Sequence, residues 1–366
     1  MKLVCEKNKC AGCMACVDAC PAKAVTVRDE VKCFNAVIDE SKCLNCNLCH
    51  KICQQKNSPV HREPIYWKQG WSNSEETRKT SSSGGFAYEL LKTFVGRGGY
   101  VCSCRFDKGL FTFYITNKID ELRSFSGSKY VKSNPVGIYK QIKELLKNGQ
   151  QVLFVGLPCQ VASLINFTNN NPNLFTVDLI CHGTPSPKVL ESFLKSKKIK
   201  LNDVEHIAFR TGDGFMVVPD GARLAGGNGQ DYYIIPFIDG DSYTENCYSC
   251  EHASINRVSD ITIGDSWGSK LPDEMKKNGV SLALCQTEKG RKLLEESDVT
   301  LYDVDIDAAK ASNPQLVGPS KCTGHRDKLL SGVAKCIGYN SIIRRTYTKR
   351  YYRSLFRRVC RKIGLK

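Results

Sequence analysis

Residues 10–21 read CAGCMACVDACP, and residues 43–54 read CLNCNLCHKICQ. Each stretch spaces four cysteines as C-x2-C-x2-C-x3-C: Cys10, Cys13, Cys16 and Cys20, then Cys43, Cys46, Cys49 and Cys53. Every cysteine of the second set stands 33 residues after its counterpart, so the two runs are one motif repeated in register. Three thiolates on one tight loop can cover three corners of an inorganic cubane. The same loop is then too cramped to reach the fourth.

This is the spacing of bacterial ferredoxins with two [4Fe–4S] clusters, where the last cysteine of each run ligates the other cluster. The expected ligand sets are therefore Cys10, Cys13, Cys16 and Cys53, and Cys43, Cys46, Cys49 and Cys20. Pro21 after Cys20 fits the pattern, and Gln54 after Cys53 departs from it mildly. A pair of zinc sites is the alternative, but zinc is usually held by two short hooks separated by a longer spacer. Residues 1–58 are expected to form an α+β, ferredoxin-like module, with Val25–Val27 and Ala36–Ile38 as short strands and the clusters supplying much of its stability. Cys5 and Cys33 lie outside the runs and read as small buried residues.

The chain has 366 residues, enough for two or three domains. It is 41% hydrophobic and 25% charged, with no apolar run long enough to cross a bilayer. The opening MKLVCEKNKC lacks the apolar core of a secretion signal, and twenty cysteines without such a signal point to a reducing compartment and metal ligation rather than disulfides. The formal charge of +16 is uneven. Residues 341–366 hold ten Lys/Arg and no acid, which leaves 43 basic against 37 acidic residues elsewhere. A nearly balanced body with one basic end does not favour nucleic acid.

After a polar stretch, residues 59–79, expected to be a linker anchored by Trp67 and Trp71, comes Thr80 and then Ser81, Ser82, Ser83, Gly84 and Gly85. The helical spacing of Phe86–Phe94 follows. Hydroxyls and unhindered amides at a helix start suit a phosphate, or an ordinary serine cap. A second small loop, with Gly127, Ser128, Lys129 and Tyr130, could place a cation on the same group. Cys102 and Cys104 alternate along one strand and cannot chelate together.

Next come two strand–helix units: Gln151–Val155, a turn at Cys159 and a helix; then Leu174–Ile180, a loop from Cys181 to Pro187 and a helix. They imply parallel strands in an α/β sheet, with ligands at the carboxyl edge. Cys159 and Cys181 sit just past two carboxyl ends and can converge. With the Cys247–Cys250 hook they offer four thiolates, enough for a third [4Fe–4S] cluster, with zinc or four unrelated cysteines as alternatives. His182 and Asp265 are the polar residues nearest that site, as proton relays, cofactor contacts or structural groups. No residue is assigned to catalysis. Residues 223–232 read as a glycine-rich hairpin or loop.

Residues 341–366 read as a basic amphipathic helix. Tyr351, Leu355, Val359 and Ile363, with Tyr352, Phe356 and Cys360, form its apolar stripe. Such a helix suits an anionic membrane face, an acidic partner or its own domain.

The segments SSSGGFAYELL, SGSKYVKS, VGLPCQVASL, DLICHGTPSP, CYSCEH and DITIGDSWG, in this order over residues 80–270, resemble the coenzyme F420 hydrogenase/dehydrogenase beta-subunit family. The resemblance implies a larger α/β, FAD-binding domain over residues 80–340. It strengthens 81–85 and 127–130 as flavin contacts, beside Asp265 as a further cofactor-binding residue read from its position, and it supports the third cluster. The expected protein is a cytoplasmic iron–sulfur flavoprotein oxidoreductase, able to meet the inner membrane face through its tail. It would exchange electrons with a redox partner protein or carrier and with a two-electron organic donor or acceptor. The resemblance does not establish the deazaflavin as substrate, since relatives occur beside surface-polysaccharide genes. A reductase of a glycan precursor, a non-catalytic electron-transfer subunit and a zinc-stabilised scaffold are the other readings.

Overall fold

The computed structural model describes residues 2–211, 214–224, 231–353 and 356. In the N-terminal module β1 (Lys2–Leu3), β2 (Val25–Asp29) and β3 (Phe34–Ile38) make an antiparallel sheet in the order β1-β3-β2, with Val27 opposite Ala36. The cysteine runs flank this sheet, and each ends in a five-residue helix: α1 (Ala15–Ala19) and α2 (Leu48–Ile52). The sequence repeat is also a backbone repeat. Gly12 and Met14 in the first run, and Asn45 and Asn47 in the second, are left-handed, with φ of 66°, 63°, 52° and 59°. Glycine and asparagine enter that region readily, whereas Met14 does so at a cost of about 1–2 kcal/mol. The bends curl each loop around its own sulfurs. The Gly12 amide donates to Cys10 Sγ and the Asn45 amide to Cys43 Sγ, both at 3.4 Å.

The strands β4 (Tyr66–Ser72), β5 (Tyr100–Asp107), β6 (Leu110–Thr116), β7 (Val152–Gly156) and β8 (Leu174–Leu179) belong to a second sheet. After a two-stranded ribbon, β9 (Ile207–Thr211) and β10 (Gly214–Pro219), that sheet is completed by β11 (Ile261–Asp265), β12 (Ser281–Cys285) and β13 (Val299–Tyr302). Its order is β13-β4-β12-β11-β8-β7-β5-β6. The central strands β11, β8, β7 and β5 are parallel, and the flanking pairs are antiparallel. The expected parallel pair is thus β7 and β8.

Strand β7, VLFVG, is buried on both faces, as parallel strands between helices are. Leu153 and Val155 pack with Phe86, Leu90 and Phe94 of α4 (Phe86–Gly96), which follows the short α3 (Glu75–Thr80). Val152 and Phe154 pack on the other face, against α5 (Ile138–Lys147) and α6 (Pro158–Phe167).

Two expectations change. Residues 59–79 are not a linker: β4 lies inside the large sheet, between β13 and β12. Its polar look misled. Gln69 is buried, donating to the Asp303 carbonyl at 2.8 Å and accepting from the Ser266 hydroxyl at 2.9 Å. A methyl on Gly70 would stand 1.8 Å from the Thr300 carbonyl oxygen, so glycine is what lets β13 approach. The start of the expected tail, meanwhile, is packed on the domain. Ile342, Ile343 and Tyr347 share a core with α7 (Pro187–Lys195), and Tyr351 stacks on Tyr232. Leu355 and residues 357–366, with most of the apolar stripe, lie outside the described residues, as do residues 225–230 of the glycine-rich stretch.

The module is clamped to the larger domain. The Asp18 carboxylate accepts from the amides of Gly137, at 2.7 and 3.0 Å, and Tyr139, at 3.2 Å, so it caps α5. The Tyr139 hydroxyl donates to the Cys13 carbonyl, and Asn166 on α6 donates to the carbonyls of Ile52 and Asn57.

Candidate metal centre and cofactor site

Of the eight N-terminal thiols, Cys10, Cys13, Cys16 and Cys53 are buried and Cys20, Cys43, Cys46 and Cys49 are not, and Cys13, Cys10, Cys53 and Cys49 all act on Cys16. Cys20 and Cys43 act in the same way on Cys49. A pocket open to solvent is lined by Cys20, Cys43, Cys46 and Cys49 together with Val25, Ile38 and Leu44. A donor set of four thiols around such a cavity fits a cubane cluster. Among the described residues no three His, Cys, Asp or Glu side chains close on a single ion. In this second set the thiols surround the cavity instead. Burial pushes Cys13 up to about 12. Cys5, set aside on sequence, lies against both Cys10 and Cys53. Its proximity lowers Cys10 and brings Cys53 down to about 7.

The third set also converges. Cys159 is at the start of α6, Cys181 lies just past β8, and Cys247 and Cys250 belong to the turn after Thr244. Cys250 and Cys181 both act on Cys159, and Cys247 and Cys250 act on Cys181, whose thiol burial pushes up to about 12. This set abuts the first one. Ser163 Oγ on α6 lies 3.0 Å from Cys13 Sγ and 3.0 Å from the Cys159 carbonyl oxygen.

The two serine and glycine loops meet as well: the Ser128 amide donates to Ser82 Oγ at 2.8 Å. Ser81 Oγ, at the end of α3, donates to the Thr77 carbonyl, and Ser83 Oγ ties the loop to the Val280 carbonyl just before β12. Lys129 turns inward, its ammonium donating to the carbonyls of Phe125, Ser126 and Gly127 at 2.8–3.0 Å, and burial lowers its pKa. Asp265, at the carboxyl end of β11, receives both bonds of Arg210 Nη1, at 2.9 and 2.8 Å. Tyr130 is half-buried beside that pair, and desolvation is the first cause raising its pKa. His182, next to Cys181, is shifted down by burial while Asp265 opposes the shift. Polar contacts therefore run from Asp265 through Arg210 and Tyr130 to Ser128 and Ser82, with His182, beside Cys181, in the field of Asp265. Sequence reading missed Arg210, which sits in a stretch of weak pattern. It also passed over Ser163 and Lys132, although Lys132 falls within SGSKYVKS.

Residues 149–304 match the family described as the C terminus of the coenzyme F420 hydrogenase/dehydrogenase beta subunit, and residues 9–57 match the 4Fe-4S dicluster domain. Residues 149–304 are thus similar to the C-terminal part of that oxidoreductase family's beta subunit, and residues 9–57 form an iron–sulfur domain of the dicluster type. A relative, the F subunit of the F(420)H(2) dehydrogenase of Methanosarcina mazei, is 22% identical over 291 residues, covering 73% of this chain and 79% of the relative. A chain of the F420-reducing [NiFe] hydrogenase complex from Methanosarcina barkeri shares the fold, with a TM-score of 0.50 and 17% identity, covering 78% of this chain and 92% of that one. Among the described residues no helix is long and apolar enough to cross a membrane.

Proposed function

We propose that this protein is an iron–sulfur flavoprotein that exchanges single electrons at its N-terminal end and electron pairs at the carboxyl edge of its large sheet. The observation that carries the reading is the Ser163 contact, which ties the dicluster module at Cys13 to the third thiol set at Cys159. The three cysteine sets then form a series. The Cys20, Cys43, Cys46 and Cys49 set is outermost, with Cys46 exposed, and the Cys10 set is buried behind it. The Cys159 set follows, beside the polar contacts that lead to Ser128 and Ser82.

Each set would hold a [4Fe–4S] cluster. Bound at the loops of 81–85 and 127–130, FAD would supply the exchange between single electrons and pairs. The chain's own part is local. The Ser82–Ser128 bond fixes one loop on the other. Arg210 holds Asp265 in place through two hydrogen bonds, and Tyr130 and His182 offer a hydroxyl and an imidazole beside it. The relatives' names speak of a dehydrogenase and a hydrogenase complex. By extension we take this chain to work with a redox partner protein, and its organic partner to be a two-electron carrier of the coenzyme F420 type.

Oxygen-free purification tests the scheme. About twelve iron and one FAD per chain are expected if each cluster holds four iron atoms. About eight iron removes the third centre, and absence of FAD removes the loop assignment. Turnover of reduced coenzyme F420 against a one-electron dye by the isolated chain separates an enzyme from an electron carrier.

A further inference from the structure

Lys132 is only 4% exposed, and among the described residues it forms no ion pair with a carboxylate. Its ammonium donates to the Ala11 carbonyl at 2.9 Å, between Cys10 and Cys13 of the first run. Its own amide donates to the Pro185 carbonyl at 2.9 Å, in the loop that begins with Cys181. The ring of Phe34 stands 5.7 Å from the ammonium. A buried cation without a counter-ion is expensive. The sulfurs of Cys247, Cys159, Cys181 and Cys10 are the groups whose charge would act on this amine. Those four thiols come from two different sets.

We propose that Lys132 is a counter-charge shared by the Cys10 set and the Cys159 set, positioned to favour the reduced form of both centres. The proposal rests on reading both sets as cluster sites. Its physical basis is that each reduction adds a negative charge inside a low-dielectric interior, where a fixed cation nearby has its greatest effect. A lysine that merely clamps Ala11 to the larger domain would affect folding but not the potentials.

The test uses full-length, oxygen-free protein and redox titration followed by electron paramagnetic resonance. Lys132→Met removes the charge and keeps the length of the side chain. Lys132→Gln also removes the charge but keeps a donor for Ala11, so it covers the case in which the methionine variant does not fold. Lys132→Arg keeps the charge. In either neutral variant that retains native iron, the reduced-to-oxidised ratio of the Cys10 centre at a fixed poise should fall at least tenfold, a downward shift of about 59 mV for a one-electron couple. Lys132→Arg should stay within about threefold of native. Neutral variants with native iron and a native ratio would overturn the proposal. Failure of the third-centre reading shows separately, as about eight iron in the native protein, and the shared role falls with it.

Discussion

Ser163 Oγ stands 3.0 Å from Cys13 Sγ, although the two residues are 150 positions apart. Ser163 is fully buried on α6, and its oxygen also touches the Cys159 carbonyl one turn earlier. A hydroxyl directed at a ligand sulfur stabilises the extra charge of a reduced cluster, one of the ways a protein tunes such centres. Ser163→Ala should therefore keep its iron and lower the potential of the Cys10 centre. The lost hydrogen bond should cost about 1 kcal/mol of stability. Redox titration and a thermal melt check the two halves independently. An unchanged potential would leave Ser163 as a packing residue only.

Cys5 and Cys53 give a sharper contrast. Both thiols are buried in one cluster of side chains, and Cys5 acts on Cys53. Only Cys53 belongs to the repeated pattern. Cys53→Ser should lower iron by about four atoms per chain, the content of one cluster. Cys5→Ser should leave the iron count native, with at most a shifted spectrum. Loss of four iron from Cys5→Ser would mean that the interleaved assignment has the wrong fourth ligand.

The module and the parallel strands were legible because their signals are local. The cysteine spacing repeats in register, β7 is a continuous apolar run, and both β7 and β8 lead into turns followed by helical patterns. Strand β4 was not legible, because its buried Gln69 and Gly70 resemble a loop until the partners from β12, β13 and Ser266 are in place. Arg210 was invisible for a related reason. Its meaning comes from Asp265, 55 residues away, and a lone arginine on a ribbon strand carries no pattern. Lys129 shows the opposite limit. Its type suggested a phosphate contact, whereas in the fold its ammonium closes its own loop on three carbonyls.

Gly84 separates packing from cofactor binding within the first loop. A methyl built there would stand 2.3 Å from the Gly70 carbonyl oxygen and 2.7 Å from the Ser281 nitrogen. Both are backbone atoms of sheet strands and have little room to give. Gly84→Ala should thus destabilise the large domain by about 1–3 kcal/mol, the usual cost of overpacking. Ser82→Ala should cost little stability but loosen the Ser128 loop, read as a lower flavin-to-protein ratio. Equal melting temperatures for Gly84→Ala and native protein would contradict the close approach.

Arg210 and Asp265 are held by two bonds from one nitrogen at the sheet edge, so changing either leaves a charge without its partner. Arg210→Met should lower two-electron turnover at least tenfold, about 1.4 kcal/mol of barrier, with the iron content unchanged. Asp265→Asn should have a smaller effect, because the amide still accepts from Arg210. Native turnover in both variants would remove this pair from the site.

Removing iron should unfold the module before the sheet domain. Nine buried side chains form the module's own core, and four of them are Cys5, Cys10, Cys16 and Cys53. Its helices have five residues each, too short to persist alone. Metal ligation then supplies folding free energy that so small a core lacks. An iron chelator applied without oxygen should release amide protection in β2 and β3, while β7 and β8, covered on both faces, keep theirs. The loss should reach the first turn of α5, because its Gly137 and Tyr139 amides are capped by Asp18 from the module. Hydrogen exchange read by mass spectrometry would show the order. Simultaneous loss in both domains would mean that the clamp at Asp18, Tyr139 and Asn166 makes them one cooperative unit.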